Sequence, residues 1–149
     1  MDPWLFEDEE WDEIGELTHR LTNSTLADDD VLHESIHREL IERLCELTEK
    51  YGDHPVLLET LADYVEDPNE RLLLYRKALQ LSEKHGMPTL TIRVWLAELL
   101  LEELNDAAEA RRVLKDGEDE FLEGDQEPEW VSKFAELWWQ CRVEKPKTE

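Results

Sequence analysis

The chain has 149 residues and a formal net charge of −23, because it carries 39 acidic and 16 basic side chains. A phosphate backbone repels a protein of this charge, and no basic stripe with interleaved aromatic residues occurs, so we expect no nucleic-acid partner. The 40% apolar content with six tryptophans is too high for a disordered acidic tail, and the length suits one folded domain over residues 1–149.

Apolar residues recur three and four positions apart along the chain, which predicts helices joined by short turns. The first helix is expected to have Asp2 as its N-cap and Pro3 at its first position, and to end at residues 22–25. A second helix is predicted to follow the acidic cap cluster at 28–30. It is expected to end at Gly52, since glycine is suited to a left-handed C-cap.

Five further helices are predicted from the turn residues between their apolar stripes. The segment 89–95 alternates like a strand, but Pro88 precedes it and a helix-forming run at 97–100 follows, so we interpret it as helical. The sixth helix is expected to extend from the turn at Asn105 to near Gly124. The other expected boundaries are Asp53 and Pro55 for the third helix, Pro68 and Gly86 for the fourth, and Pro128 for the seventh. About seven helices with short connections predict an all-α fold of antiparallel pairs.

Residues 54–124 contain an internal repeat with a period of 35 residues. A shift of that length superposes Leu61-Ala62 on Leu96-Ala97, and the basic pair at 76–77 on another at 111–112. Because the shift maps helix to helix and turn to turn, we predict two structurally similar halves.

This repeat resembles the tetratricopeptide repeat, a helix-turn-helix unit of about 34 residues. Tyr75 followed by Ala78 and Leu79 is similar to the second helix of that family, and the segment 105–110 is similar to the turn into it. The resemblance implies that residues 54–124 form two stacked α-hairpins of a superhelix. The helix within 1–25 and another at 127–142 would cap it. A concave groove for a protein or peptide is also implied, with neither catalysis nor a cofactor.

Negative charge and aromatic residues are concentrated together at the two ends of the chain. Residues 1–30 hold 11 acidic and 1 basic side chains and residues 116–149 hold 11 and 4, whereas residues 31–115 hold 17 and 11. Aromatic residues beside one sign of charge are typical of partner-binding surfaces, although buried faces of terminal helices would also be aromatic. The predicted partner-binding residues are Glu7, Asp8, Glu9, Glu10 and Trp11 at the first end, and Glu118, Asp119, Glu120 and Trp130 at the second.

The charge pattern predicts a non-enzymatic interaction module whose acidic surface recognises a basic protein. Charge of this size sets approach rate and partner choice more than final affinity. An immunity-type inhibitor of a cationic nuclease, an adaptor, or a chaperone for a basic client would each have such a sequence. Self-association through the tryptophan-rich end helices, for example as a homodimer, stays open.

One sequence pattern suggests catalysis: His33, Glu34 and His37 match HExxH. Histidines four positions apart share a helix face and can both bind zinc, and Glu34 can act as general base, so the alternative function is a small zinc-dependent hydrolase. Charged residues follow at 38–39, where such enzymes keep uncharged or apolar ones, and no third histidine follows at the extended spacing. A buried stripe through Ile36 places both histidines on a flank, so we favour solvated or capping side chains and no metal.

Two features predict a cytoplasmic location without a membrane partner. The amino terminus has no basic-then-apolar leader, and no apolar run approaches the ~18 residues of a membrane span. Cys45 and Cys141 lack informative partner spacing, which suits a reducing cytosol, and we expect both to pack in the core.

Overall fold

A computed structural model describes residues 5–124 and 127–143. Within these ranges the chain forms eight helices and no strand, which confirms the predicted all-α class. The helices are α1 (Asp8–Leu26), α2 (Asp30–Tyr51), α3 (Pro55–Tyr64), α4 (Pro68–Lys84), α5 (Leu90–Glu102), α6 (Ala107–Asp116), α7 (Glu118–Glu123) and α8 (Pro128–Val143). None of these helices combines the length and the apolar character that a membrane crossing requires.

The first helix begins later than the sequence pattern predicts. Asp2 and Pro3 lie outside the described residues, and residues 5–7 are not helical. Glu7 is the N-cap, and its backbone N–H donates to the carboxylate three residues later at 3.0 Å. Phe6, just before this cap, stacks on Trp11 with ring centroids 5.3 Å apart. This pair is a hydrophobic staple, and together with the cap it fixes the start of α1 at Asp8.

Residues Met1–Val65 form one compact unit, which contains α1, α2 and α3 and which we call the N-terminal unit. In α2 the positions three and four apart are buried, and they pack against the buried side of α1. Each of these large aliphatic side chains contributes roughly 1.5–3 kcal/mol through burial. The shared core consists of Phe6, Ile14, Leu17, Leu21, Ile36, Leu40, Leu44, Leu47 and Leu57.

Residues Glu66–Glu149 form a second compact unit, the C-terminal unit, with α5 at its centre. Helix α5 packs against α4, α6 and α8, and nine of its 13 residues are buried. A helix that is apolar on all sides must be surrounded by other elements. This explains why segment 89–95 shows no one-sided stripe, and it confirms the helical interpretation.

The predicted sixth helix is in fact two helices, α6 and α7, that meet at Gly117. Buried Arg93 of α5 donates a hydrogen bond of 2.9 Å to the Val113 carbonyl, which the Gly117 N–H would bind in an uninterrupted helix. The Gly117 N–H donates instead to the Leu114 carbonyl at 3.1 Å. A side chain at this position would meet Arg93, because a Cβ would lie 2.4 Å from its Cδ. The continuous helix was therefore a wrong prediction.

Candidate functional site

The first half of α1 presents exposed carboxylates on one side. We call this set the α1 acidic face; it consists of Asp8, Glu9, Asp12, Glu13 and Glu16. At about 100° per residue these positions fall within an arc of about 140°. Glu13 is bound by the guanidinium of Arg43, with Nε 2.9 Å from Oε2. The other four carboxylates make no ion pair with any residue in the described part of the chain.

Helix formation accounts for only part of this face. Asp8 and Glu9 lie in the first turn of α1, where negative charge interacts favourably with the helix dipole. That effect fades after the first turn, so Asp12 and Glu16 gain nothing from it. Like charges four positions apart instead destabilise a helix by roughly 0.2–0.5 kcal/mol per pair. The helix dipole therefore does not explain these two carboxylates.

The N-terminal unit contains too few cations to neutralise this face. Residues 1–65 hold 19 acidic and 4 basic side chains. Within its described residues, Arg20 pairs with Glu39, Arg43 with Glu13 and Glu46, and Lys50 with Glu10. Arg38, the fourth cation, is exposed and forms no ion pair with this face, so Glu13 is the one carboxylate of the α1 acidic face that has a cationic partner among the described residues of this unit.

Glu10 differs from its acidic neighbours because its carboxylate is engaged within the fold. It is 8% exposed, lies 2.7 Å from Lys50 Nζ, and accepts hydrogen bonds from the Tyr51 hydroxyl and the Glu7 N–H. The Lys50 hydrogen bond is the largest cause that lowers the pKa of Glu10 from 4.5 to about 2. Trp11 is half-buried against Phe6. Of the predicted residues at this end, Glu7, Asp8 and Glu9 are thus the exposed ones.

The predicted residues at the second end divide in the same way. Glu118 and Asp119 are exposed at the start of α7. Glu120 instead points back to α5, where its carboxylate accepts the N–H groups of Thr89 and Leu90 at 2.9 and 2.8 Å. Trp130, in α8, is half-buried. Its ring meets that of a tryptophan in α5 edge to face, with centroids 5.7 Å apart.

An apolar groove lies beside Glu118, between α6, α7 and α8. Its pocket of about 200 Å³ is lined by Leu114, Phe121, Leu122, Phe134, Ala135 and Trp138, with Glu118 at the rim. The sequence signal for it is the apolar pair at 121–122 within an acidic run. That signal shows two apolar side chains but not the opposite wall, which comes from α6 and α8.

The HExxH residues lie on α2, and one of them is hydrogen-bonded to α3. His33 and His37 are half-buried with ring centroids 6.4 Å apart, and Glu34 is exposed. Nε2 of His37 lies 2.5 Å from the Tyr64 carbonyl oxygen and donates to it, which satisfies a carbonyl in the last turn of α3. Among the residues described, no group of three histidine, cysteine or acidic side chains could hold a metal ion. The predicted capping role thus fits His37, which caps α3.

In three comparisons, no protein-family model, no curated protein and no solved structure matches this chain.

Proposed function

We propose that the protein is a non-enzymatic interaction module whose α1 acidic face binds a basic segment of a partner protein. The supporting observation is that Asp8, Glu9, Asp12 and Glu16 are exposed, while no cation of the described chain pairs with them. A basic partner would relieve their mutual repulsion, and its long-range attraction would speed association. This role supplies a reason for carboxylates beyond the first turn, which the helix dipole does not explain.

A module of this kind acts by covering or carrying its partner. An immunity-type inhibitor, an adaptor and a chaperone for a basic client each need a surface that binds the partner, and the proposal covers all three. In this proposal residues 54–124 act as a scaffold of two tetratricopeptide-like hairpins. We place the module in the cytoplasm, where the exposed Cys45 thiol would stay reduced.

The proposal is tested by the affinity for a fluorescein-labelled peptide of alternating lysine and alanine, measured by fluorescence anisotropy. The test variant neutralises the face with D8N, E9Q, D12N and E16Q. The control variant removes the same charge from exposed positions elsewhere with E34Q, E42Q, E49Q and E102Q.

We expect the test variant to bind the peptide about tenfold more weakly than the wild type, since four exposed ion pairs at roughly 0.3 kcal/mol each account for such a factor. The control variant should lose about threefold or less, and wild-type affinity should fall steeply between about 50 and 200 mM salt. Equal losses in both variants would show that net charge acts without a defined face. An affinity that does not change with salt would refute the electrostatic basis of the proposal.

A further inference from the structure

We propose that the groove between α6, α7 and α8, hereafter the C-terminal groove, binds a basic amphipathic helix of a partner protein through one large apolar side chain. This inference concerns a surface separate from the α1 acidic face and does not depend on that face. Its three supports are the shape of the groove, its size and the charge around it.

The walls of the C-terminal groove are built from packed side chains. Phe134 is 5% exposed and stacks on Phe121, with ring centroids 4.3 Å apart and planes 8° from parallel. Leu114 is fully buried beneath them. The ring of Trp138 forms another wall, and the guanidinium of Arg111 lies over it, 5.9 Å from the ring centroid. Since most of these groups are held by their neighbours, the pocket is already formed before a ligand arrives.

The size of the pocket favours one apolar side chain over a metabolite. Small-molecule sites usually enclose about 300–1,000 Å³, and this pocket has about 200 Å³. An apolar cavity of about 150 Å³ is enough to hold a benzene molecule, so one leucine or phenylalanine side chain would fit here. Leu122 stands in the groove lining with 69% of its surface exposed. An anchoring side chain would remove this apolar surface from water, as anchors in protein interfaces do.

The charge around the groove selects a basic occupant. Helix α7, beside the groove, holds four acidic residues and no basic one. Glu118, Asp119 and Glu123 are exposed on α7, and none forms an ion pair with the residues that the structure describes. A second copy of the chain would bring a further charge of −23 to this rim, whereas a basic helix brings cations. Arg111 is stacked over Trp138, whereas the exposed carboxylates lie on α7, so the cationic flank of the bound helix would face α7.

The test uses three fluorescein-labelled peptides of about five helical turns. The first carries leucines on one helical face and lysines on the other; the second replaces the leucines by alanine, and the third replaces the lysines by glutamate. Ala135→Phe places a large side chain in the groove lining at an exposed position of α8. Ala108→Phe makes the same change at an exposed position of α6 that does not line the pocket. Circular dichroism checks that both variants are folded.

We expect the leucine-lysine peptide to bind the wild type and Ala108→Phe with affinities that differ by no more than about twofold. Its affinity for Ala135→Phe should be at least about tenfold lower, because that variant loses the site for one anchoring side chain. The alanine peptide keeps only its electrostatic attraction, so it should bind at least about tenfold more weakly than the leucine-lysine peptide and equally to both variants. The glutamate peptide should not bind measurably. Equal binding of the leucine-lysine peptide by the two variants, binding of the alanine peptide as tight as that of the leucine-lysine peptide, or no binding of any peptide would overturn the proposal. A wild-type dimer in sedimentation that Ala135→Phe dissociates would identify a second copy as the occupant instead.

The ratio of affinities between Ala135→Phe and Ala108→Phe measures the groove alone. Neutralising the α1 acidic face leaves this ratio unchanged if the two surfaces act independently. Failure of either proposal is therefore visible without reference to the other.

Discussion

Replacing Glu120 tests how α7 is fixed to α5. The Glu120 carboxylate accepts three donors: the Thr89 N–H at 2.9 Å, the Leu90 N–H at 2.8 Å and the Thr89 hydroxyl at 2.9 Å. These N–H groups belong to the first turn of α5 and have no acceptor within that helix. Thr89 is the N-cap, but its hydroxyl donates to Glu120 and accepts from Arg93 Nε. Glu120 therefore caps α5 from a distant part of the sequence.

The magnitude follows from the number of donors and from their exposure. Hydrogen bonds to a charged acceptor contribute roughly 1.5–3 kcal/mol each, but Glu120 is half-buried, so water replaces part of the loss. We expect Glu120→Ala to lower the free energy of unfolding by about 2–3 kcal/mol. Glu120→Gln, which keeps one acceptor oxygen and turns the other into a donor, should lower it by about 1–1.5 kcal/mol. Asp119→Asn, at an exposed neighbour, should change it by less than about 0.5 kcal/mol.

Urea unfolding followed by far-ultraviolet circular dichroism measures these differences. Amide hydrogen exchange at Thr89 and Leu90 gives a local readout, because both N–H groups lose their acceptor in Glu120→Ala. If Glu120→Ala is as stable as Asp119→Asn and exchange at these amides is unchanged, the cap does not stabilise α5. The order of stability Asp119→Asn, Glu120→Gln, Glu120→Ala, from highest to lowest, would support it.

Three further predictions concern the break between α6 and α7, the Glu10 network and the HExxH pattern. Gly117→Ala should cost about 2–4 kcal/mol of stability in urea unfolding, because its Cβ displaces buried Arg93 from its hydrogen bonds; an unchanged midpoint would contradict this. The Glu10 pKa of about 2 stabilises the folded state above pH 4.5, and this contribution is lost as the pH falls towards 2. Between pH 4.5 and 2 the urea midpoint should therefore fall more for the wild type and for Glu9→Gln than for Glu10→Gln. Parallel plots of midpoint against pH for the three proteins would contradict a stabilising role of the Glu10 carboxylate. Protein purified without a histidine tag should contain no stoichiometric zinc by elemental analysis, and full occupancy would support the hydrolase alternative for residues 33–37.

Local turn chemistry made most helix boundaries predictable from the sequence. His54, Asp67 and Asp106 accept N–H bonds at the starts of α3, α4 and α6, where proline or aspartate had indicated a start. The start of α1 carries a local signal too, since Phe6 and Trp11 stand at the two positions of a hydrophobic staple. Turn chemistry works because its donors and acceptors are close in sequence.

The break at Gly117 could not be predicted, because it depends on a side chain from another helix. Arg93 takes the Val113 carbonyl and occupies the space beside Gly117, and no pattern within residues 105–124 records this. The exposure of Cys45, in contrast, follows from a local pattern. Cys141 is buried as expected, whereas Cys45 is exposed, because the buried positions of α2 leave it on the solvent side.

The sequence located the acidic segments but could not separate binding candidates from structural carboxylates. Glu10 is bound by Lys50 and Glu120 by Leu90, and these partners lie 40 and 30 residues away along the chain. The tetratricopeptide-like arrangement of residues 54–124 stays a prediction. Ala62 and Ala97, equivalent in the 35-residue period, are both fully buried, as small residues at helix contacts would be.

The most direct test of the proposed function is to map where a basic ligand binds. The ¹⁵N-labelled protein is titrated with the lysine-alanine peptide, and amide chemical shifts are followed residue by residue. We expect the largest shift changes at Asp8, Glu9, Asp12 and Glu16, and their disappearance in the variant that neutralises these four side chains. Shift changes spread evenly over all exposed acidic positions, or centred on α2, would contradict a defined binding face on α1.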